Sequence, residues 1–166
     1  MNELRELSKP GAIGRFLFFR PPSATRWFAL PLRLIVGYGF MEHGFAKLSK
    51  GPEFFAGILQ GMGVPAPHLM AWVTILTELI CGFAVLLGAF VTLVSLPMAA
   101  VLFVAMFTVH LPYGFSSIKL ISVTAGRAQF GPPGYECDLI YLACLAALVI
   151  GGSGPLAIDG YLGKKL

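Results

Sequence analysis

Groups able to move protons are few in this chain, and they cluster. In the stretch GFMEHGFAKL, residues 39 to 48, Glu42, His43 and Lys47 follow one another closely. Further along come Glu78 in TELICGFAVLLG, His110 in VHLPYGF, and the acids Glu136 and Asp138 that open GYECD; Arg33 lies upstream. A carboxylate and an imidazole held near each other act as proton acceptor and donor, and a neighbouring cation fixes which of them is charged. Histidines with carboxylates also bind metals, and paired histidines bind haem. No HxxxH or ExxH spacing occurs here, so no resident metal is expected.

What surrounds these groups makes them unusual. The 166 residues are 57% hydrophobic and only 12% charged, with a mean hydropathy of +0.80. A soluble domain is about 45–50% apolar and about 25% charged. So little polar surface cannot cover a soluble globule, and the composition reads as an integral membrane protein. Crossing a hydrocarbon core about 30 Å thick takes about 20 mostly apolar residues. Four stretches qualify: Phe28 to Leu48, His68 to Leu87, Val91 to Leu111, and Asp138 to Gly151, the last lengthened by Tyr135 to Cys137. Backbone polar groups in lipid must be satisfied within their own segment, so the spans are helices. The fold class is all-α, an integral membrane four-helix bundle.

The net charge of +4 does not point to nucleic acid. Its bases concentrate before the first span, at Arg5, Lys9, Arg15, Arg20 and Arg26, where the positive-inside rule places a cytoplasmic head. An even number of spans returns Lys164 and Lys165 to the same side, giving both termini in the cytoplasm. The outer loops carry Lys47, Lys50, Lys119 and Arg127, so the bias is moderate. The first 25 residues lack the apolar core of a cleavable signal peptide. Residues 1–25 read as a basic interfacial arm, with Phe16 to Phe19 toward lipid and Pro21 and Pro22 breaking the chain; residues 26–166 form the one membrane domain.

Two outer loops have character of their own. In PEFFAGILQGMG, Phe54, Phe55, Ile58 and Leu59 recur at helical spacing, which predicts a short helix lying on the membrane. Residues 112 to 135 are rich in Gly, Pro and Ser, and Phe115, Phe130 and Tyr135 are expected to dip into the interface as a lid. The tail GGSGPLAIDGYLGKKL reads as a turn and a short amphipathic end. Cys81, Cys137 and Cys144 form no CxxC pair; the first and last fall inside spans and read as small packing residues.

Charges at membrane depth cost about 2.5–3.5 kcal/mol each on insertion scales and need partners. The topology brings Glu42, His43, Lys47, His110, Glu136 and Asp138 to one outer layer. Glu78 lies near the midplane, and Arg33 sits about 7 Å away in depth at 1.5 Å per residue, which predicts an Arg33–Glu78 pair. At 100° per residue Arg33, Gly37, Gly44 and Lys47 share one face, where the glycines admit a neighbouring helix, and Glu42 points the other way. His43 and Lys47 are expected to face inward at the outer end.

Taken in order, RLIVGYGFMEHGFAKL, the GVPAP turn, TELICGFAVLLG, VHLPYGF, GYE and GGSGPLAIDGYL resemble the DoxX family over roughly residues 29 to 162. The resemblance implies a four-helix bundle in the bacterial inner membrane. It also implies a polar pattern at Arg33, His43, Gly44, Lys47, Glu78, His110 and Glu136, with Cys137 and Asp138 departing from it. Members are linked to thiosulfate:quinone oxidoreductase and to membrane complexes handling thiol and oxidative stress. On that footing Arg33, His43, Lys47, Glu78, His110 and Glu136 are candidates for holding a quinone or relaying protons. The sequence carries no flavin, iron–sulfur or haem motif, so electrons would come from a redox partner subunit. The alternative is a non-enzymatic accessory or assembly subunit whose buried charges set helix register.

Overall fold

The apolar runs become helices close to the limits that hydropathy marks. The computed structural model describes residues 26–162; the interfacial placement expected for residues 1–25 lies outside the described residues. After a short 3-10 turn, α1 spans Ala29–Lys50. Gly51 breaks it with a φ of 98°, and Pro52 starts α2, Pro52–Gly61, where a missing N–H costs nothing. The helix expected in the first outer loop is therefore present. Pro67 opens α3 in the same way, and α3 runs Pro67–Leu87; α4 runs Val91–Tyr113. After a long loop come α5, Glu136–Gly151, and the short α6, Ile158–Leu162.

Among these, α3 and α4 are long and apolar enough to cross a membrane. Both contain a π-helical turn, Thr77–Cys81 in α3 and Met106–His110 in α4. Such turns insert a residue into the helical repeat, rotating everything beyond them, and they gather at functional sites. The first π turn holds Glu78 and the second ends on His110.

Helix α1 packs against the C-terminal half of α3 and against α5, while α4 packs against α5 and the π turn of α3. Val36, Phe40, Val85, Met98, Leu102, Leu145 and Leu148 fill the space between them. Small residues set the closest approach. A Cβ on Gly37 would stand 2.7 Å from the Gly82 carbonyl oxygen, and one on Gly82 would stand 2.9 Å from the Gly37 oxygen. The two backbones touch, as membrane helices do at glycine faces. A second, smaller cluster of Ala56, Leu59 and Ala71 seats α2 on the first half of α3.

The loop after α4 corrects the all-α expectation. Leu120–Thr124 (β1) and Arg127–Phe130 (β2) form an antiparallel hairpin. Its turn, Ala125–Gly126, has φ values of 50° and 76°, both left-handed, which is the turn geometry that matches strand twist.

The core is apolar, but so is the exterior, and charged side chains are buried between the helices. Ile150 is 87% exposed and Leu96 68%, while Arg33, Glu78 and Asp138 are buried. Water rewards the reverse arrangement, so this exterior suits lipid.

Candidate functional site

The C-terminal end of α1 meets α2 and α3 at a polar site. Lys47 Nζ donates to both oxygens of Glu78, at 2.7 Å and 2.6 Å. The carboxylate side chain is 6% exposed and the lysine 24%, so the pair is shut from one side and open on the other. Gly44 makes the approach possible: a Cβ there would come within 3.0 Å of the Glu78 Cβ and 2.9 Å of the Leu79 Cγ. Lys47 Nζ also sits 5.3 Å from the centroid of the Phe55 ring, a cation–π distance. Lys47 thereby links α1, α2 and α3.

A groove of about 280 Å³ opens beside this ammonium, lined by His43, Ala46, Lys47, Lys50, Phe54, Phe55 and Ile58. Its α1 wall is basic and its α2 wall is aromatic and aliphatic. Of the two residues expected to face inward, Lys47 does. His43 instead is exposed and stands on the groove rim one turn below Lys47. Glu42 is exposed and turned away, as the helical arithmetic requires.

Glu78 is therefore paired with Lys47, which corrects the expected Arg33–Glu78 pair. Arg33 is 2% exposed, and among the described residues its guanidinium donates to backbone carbonyls. Nε donates to Val85 O at 3.2 Å, Nη2 to Leu86 O at 2.8 Å and Leu156 O at 3.2 Å, and Nη1 to Ser153 O and Pro155 O, each at 3.1 Å. Val85 lies seven residues beyond Glu78, about 10 Å further along the helix. The guanidinium is thus at the C-terminal end of α3, out of reach of the carboxylate. Two of its acceptors, Val85 O and Leu86 O, belong to the last turn of α3, a position that favours a cation, and the other three belong to the tail. Gly88 is needed beside it, because its φ is 67° and a Cβ would meet the Arg33 Cζ at 2.7 Å.

A second pair bridges α4 and α5. His110 Nδ1 and Asp138 Oδ2 are 2.6 Å apart, with side chains 25% and 6% exposed. Two ion pairs thus join neighbouring helices, Lys47–Glu78 and His110–Asp138. Glu136 belongs to neither: its Oε2 accepts the Ser117 N–H at 2.9 Å and holds the loop. Of the candidate residues, Lys47 and Glu78 come together with His43 beside them; His110 pairs elsewhere, Arg33 lies at the opposite end, and Glu136 faces the loop.

Sequence reasoning left two acids out of the candidate set. Asp138 departs from the family pattern, yet it is the buried partner of His110; its signal was a carboxylate opening one span at the level where a histidine closes another. Asp159 accepts the Phe90 N–H at 2.6 Å and the Val91 N–H at 3.0 Å, capping α4 from the tail. An N-cap supplied from a segment far away in sequence leaves no local motif. Cys81 and Cys144 pack against the core, as expected of small apolar residues; Cys137 is exposed, and all three are free thiols. No group of three or more metal-ligating side chains occurs among the described residues.

Apolar exterior, two candidate spans and buried ion pairs between helices define a mostly helical membrane protein. The sequence model of the DoxX family matches residues 28–111, half of the chain, and the chain belongs to that family. It is also 27% identical over 149 residues to an uncharacterized membrane protein, Rv3486, of Mycobacterium tuberculosis, covering 87% of this chain and 84% of that protein. No solved structure matches.

Proposed function

We propose that the protein is a four-helix integral bundle of the bacterial inner membrane, with both termini cytoplasmic, serving as the membrane subunit of a quinone-linked redox system. The observation that carries this reading is the groove beside Lys47, basic on one wall and aromatic on the other. A sealed helix seam would serve structure alone, whereas this site is open to a ligand entering sideways from lipid.

The residues fit a quinone headgroup. Its two carbonyl oxygens need donors, which Lys47, Lys50 and His43 supply, and its ring needs an apolar wall, which Phe54, Phe55 and Ile58 supply. About 280 Å³ is near the lower limit for small-molecule sites and suits one ring, with the chain left in lipid. A bound quinone supplies two-electron chemistry that takes up two protons. Lys47 is bonded to Glu78 and open to the groove, so it passes protons between the rim at His43 and the buried carboxylate. Electrons come from a partner subunit.

The test is titration of a short-chain quinone into the protein in nanodiscs. Saturable binding is expected, weakened about tenfold by His43→Ala, the loss of one hydrogen bond. His43 is exposed, so that variant keeps its fold. Absence of saturable binding refutes this reading.

One observation favours the accessory-subunit alternative. Both ion pairs cross helix seams, Lys47–Glu78 and His110–Asp138, and would set register in a scaffold. In that case Glu78→Gln lowers stability while quinone binds neither form.

A further inference from the structure

The hairpin between α4 and α5 has two chemically different faces. Strand side chains alternate, so a one-residue irregularity changes which residues share a face. The register slips at Ile121: Leu120 pairs with Phe130, Ser122 with Gln129, Val123 with Ala128 and Thr124 with Arg127. Leu120, Phe130, Val123 and Ala128 therefore fall on one side, with Ile121 added at the bulge. Ser122, Gln129, Thr124 and Arg127 fall on the other, where the Ser122 hydroxyl donates to Gln129 Oε1 at 3.0 Å. The apolar side is bare: Leu120, Ile121, Val123 and Phe130 are each 59–69% exposed. Two strands alone are marginal in water, so this face needs a cover.

The position of the hairpin indicates what covers it. Its base is tied to the helix ends by Gly134 N–H to Ser116 O at 3.0 Å, Tyr135 N–H to Gly114 O at 3.1 Å and Glu136 N–H to Phe115 O at 2.9 Å. The Phe115 and Tyr135 rings meet edge to face at the same place. A five-residue strand reaches only about 16 Å from there. An upright hairpin would cross a headgroup layer about 5–8 Å deep and show its apolar face to water, whereas a flat one keeps that face at the acyl boundary. From Pro112 to Tyr135 the chain has no acid, but it has Lys119 and Arg127. Tyr113, Phe115 and Tyr135 supply the aromatics that favour such an interface.

We infer that the hairpin lies flat on the outer leaflet, burying Leu120, Ile121, Val123 and Phe130 among acyl chains, with Lys119 and Arg127 at the phosphates of anionic lipids. This rests on the membrane-bundle reading but not on quinone. Uncharged polar residues face away from the bilayer, and the turn at Ala125–Gly126 points along it.

The test is nitroxide labelling of single cysteines in a variant with Cys81, Cys137 and Cys144 replaced by alanine, in nanodiscs of phosphatidylglycerol or phosphatidylcholine. Labels at Val123 and Phe130 are expected to be several-fold more accessible to oxygen than to a water-soluble nickel complex. Labels at Ser122 and Gln129 should show the reverse order. A label at Val104, exposed in α4, reports the bundle separately. If Val104 lies in lipid while Val123 and Phe130 prefer nickel, the hairpin inference is overturned and the bundle stands. If Val104 also prefers nickel, both fail. The unmodified chain gives a second measurement: trypsin cleavage after Arg127 should slow several-fold in phosphatidylglycerol relative to phosphatidylcholine. Equal cleavage in both overturns anionic-lipid docking and leaves a protein partner as the cover.

Discussion

Replacing Arg33 by Met should release the tail from the C-terminal end of α3. The substitution keeps an apolar stem of similar length and removes every donor. Five carbonyls then lose a partner. Each buried acceptor left dry costs about 1–3 kcal/mol. The full sum is not reached, for two reasons. Val85 O still accepts the Gly88 N–H at 2.9 Å, and Ser153, Pro155 and Leu156 can recover water if their segment lifts away. The expected loss is therefore about 3 kcal/mol, near that for breaking a buried charged interaction. At about 1.4 kcal/mol per decade, this raises the open population of the tail about 100-fold. Hydrogen exchange reads it at the Asp159 amide, which donates to Gly88 O at 2.9 Å, and at the Phe90 and Val91 amides, which Asp159 caps. Arg33→Lys should fall between, because a point ammonium with three donors cannot reach carbonyls on both α3 and the tail. Exchange at these amides within about twofold of wild type, with stability unchanged to about 0.5 kcal/mol, would refute the clamp.

Gly37→Ala should destabilise the protein by about 1–3 kcal/mol in thermal unfolding, because its methyl meets backbone atoms of Gly82 and Leu86 that cannot rotate away. Lys47→Met alone should cost about 3 kcal/mol by leaving Glu78 buried and unpaired, and adding Glu78→Leu should recover most of that; a double-mutant cycle showing no coupling would contradict the pairing. Asp159→Ala should cost about 0.5–2 kcal/mol, the usual worth of a helix cap, and speed exchange at Phe90 and Val91 while leaving α1 unchanged.

The helices were legible in the sequence. Hydropathy marks where a backbone can satisfy itself in lipid, and proline and glycine mark where it stops. Phe28 to Leu48 became Ala29–Lys50, and His68 to Leu87 became Pro67–Leu87. The glycine face of α1 was legible too, since Gly37 and Gly44 lie on a straight helix where 100° per residue holds throughout.

Partner choice was decided only in three dimensions. Depth counting placed Arg33 beside Glu78 by treating the helices as upright rods and the tail as a bystander. Instead the tail folds back, and its carbonyls at Ser153, Pro155 and Leu156 take the guanidinium at the C-terminal end of α3, while Gly44 lets Lys47 reach the carboxylate. The π turns at Glu78 and His110 escape any fixed-period reading, because they change the period itself. The hairpin hid in a segment rich in Gly, Pro and Ser, although the β-branched Ile121, Val123 and Thr124 before Ala-Gly were its one local signal. Local composition determines which segments are helices and where they stop. Which charge meets which depends on backbone contacts between segments far apart in the chain, and no local pattern records those.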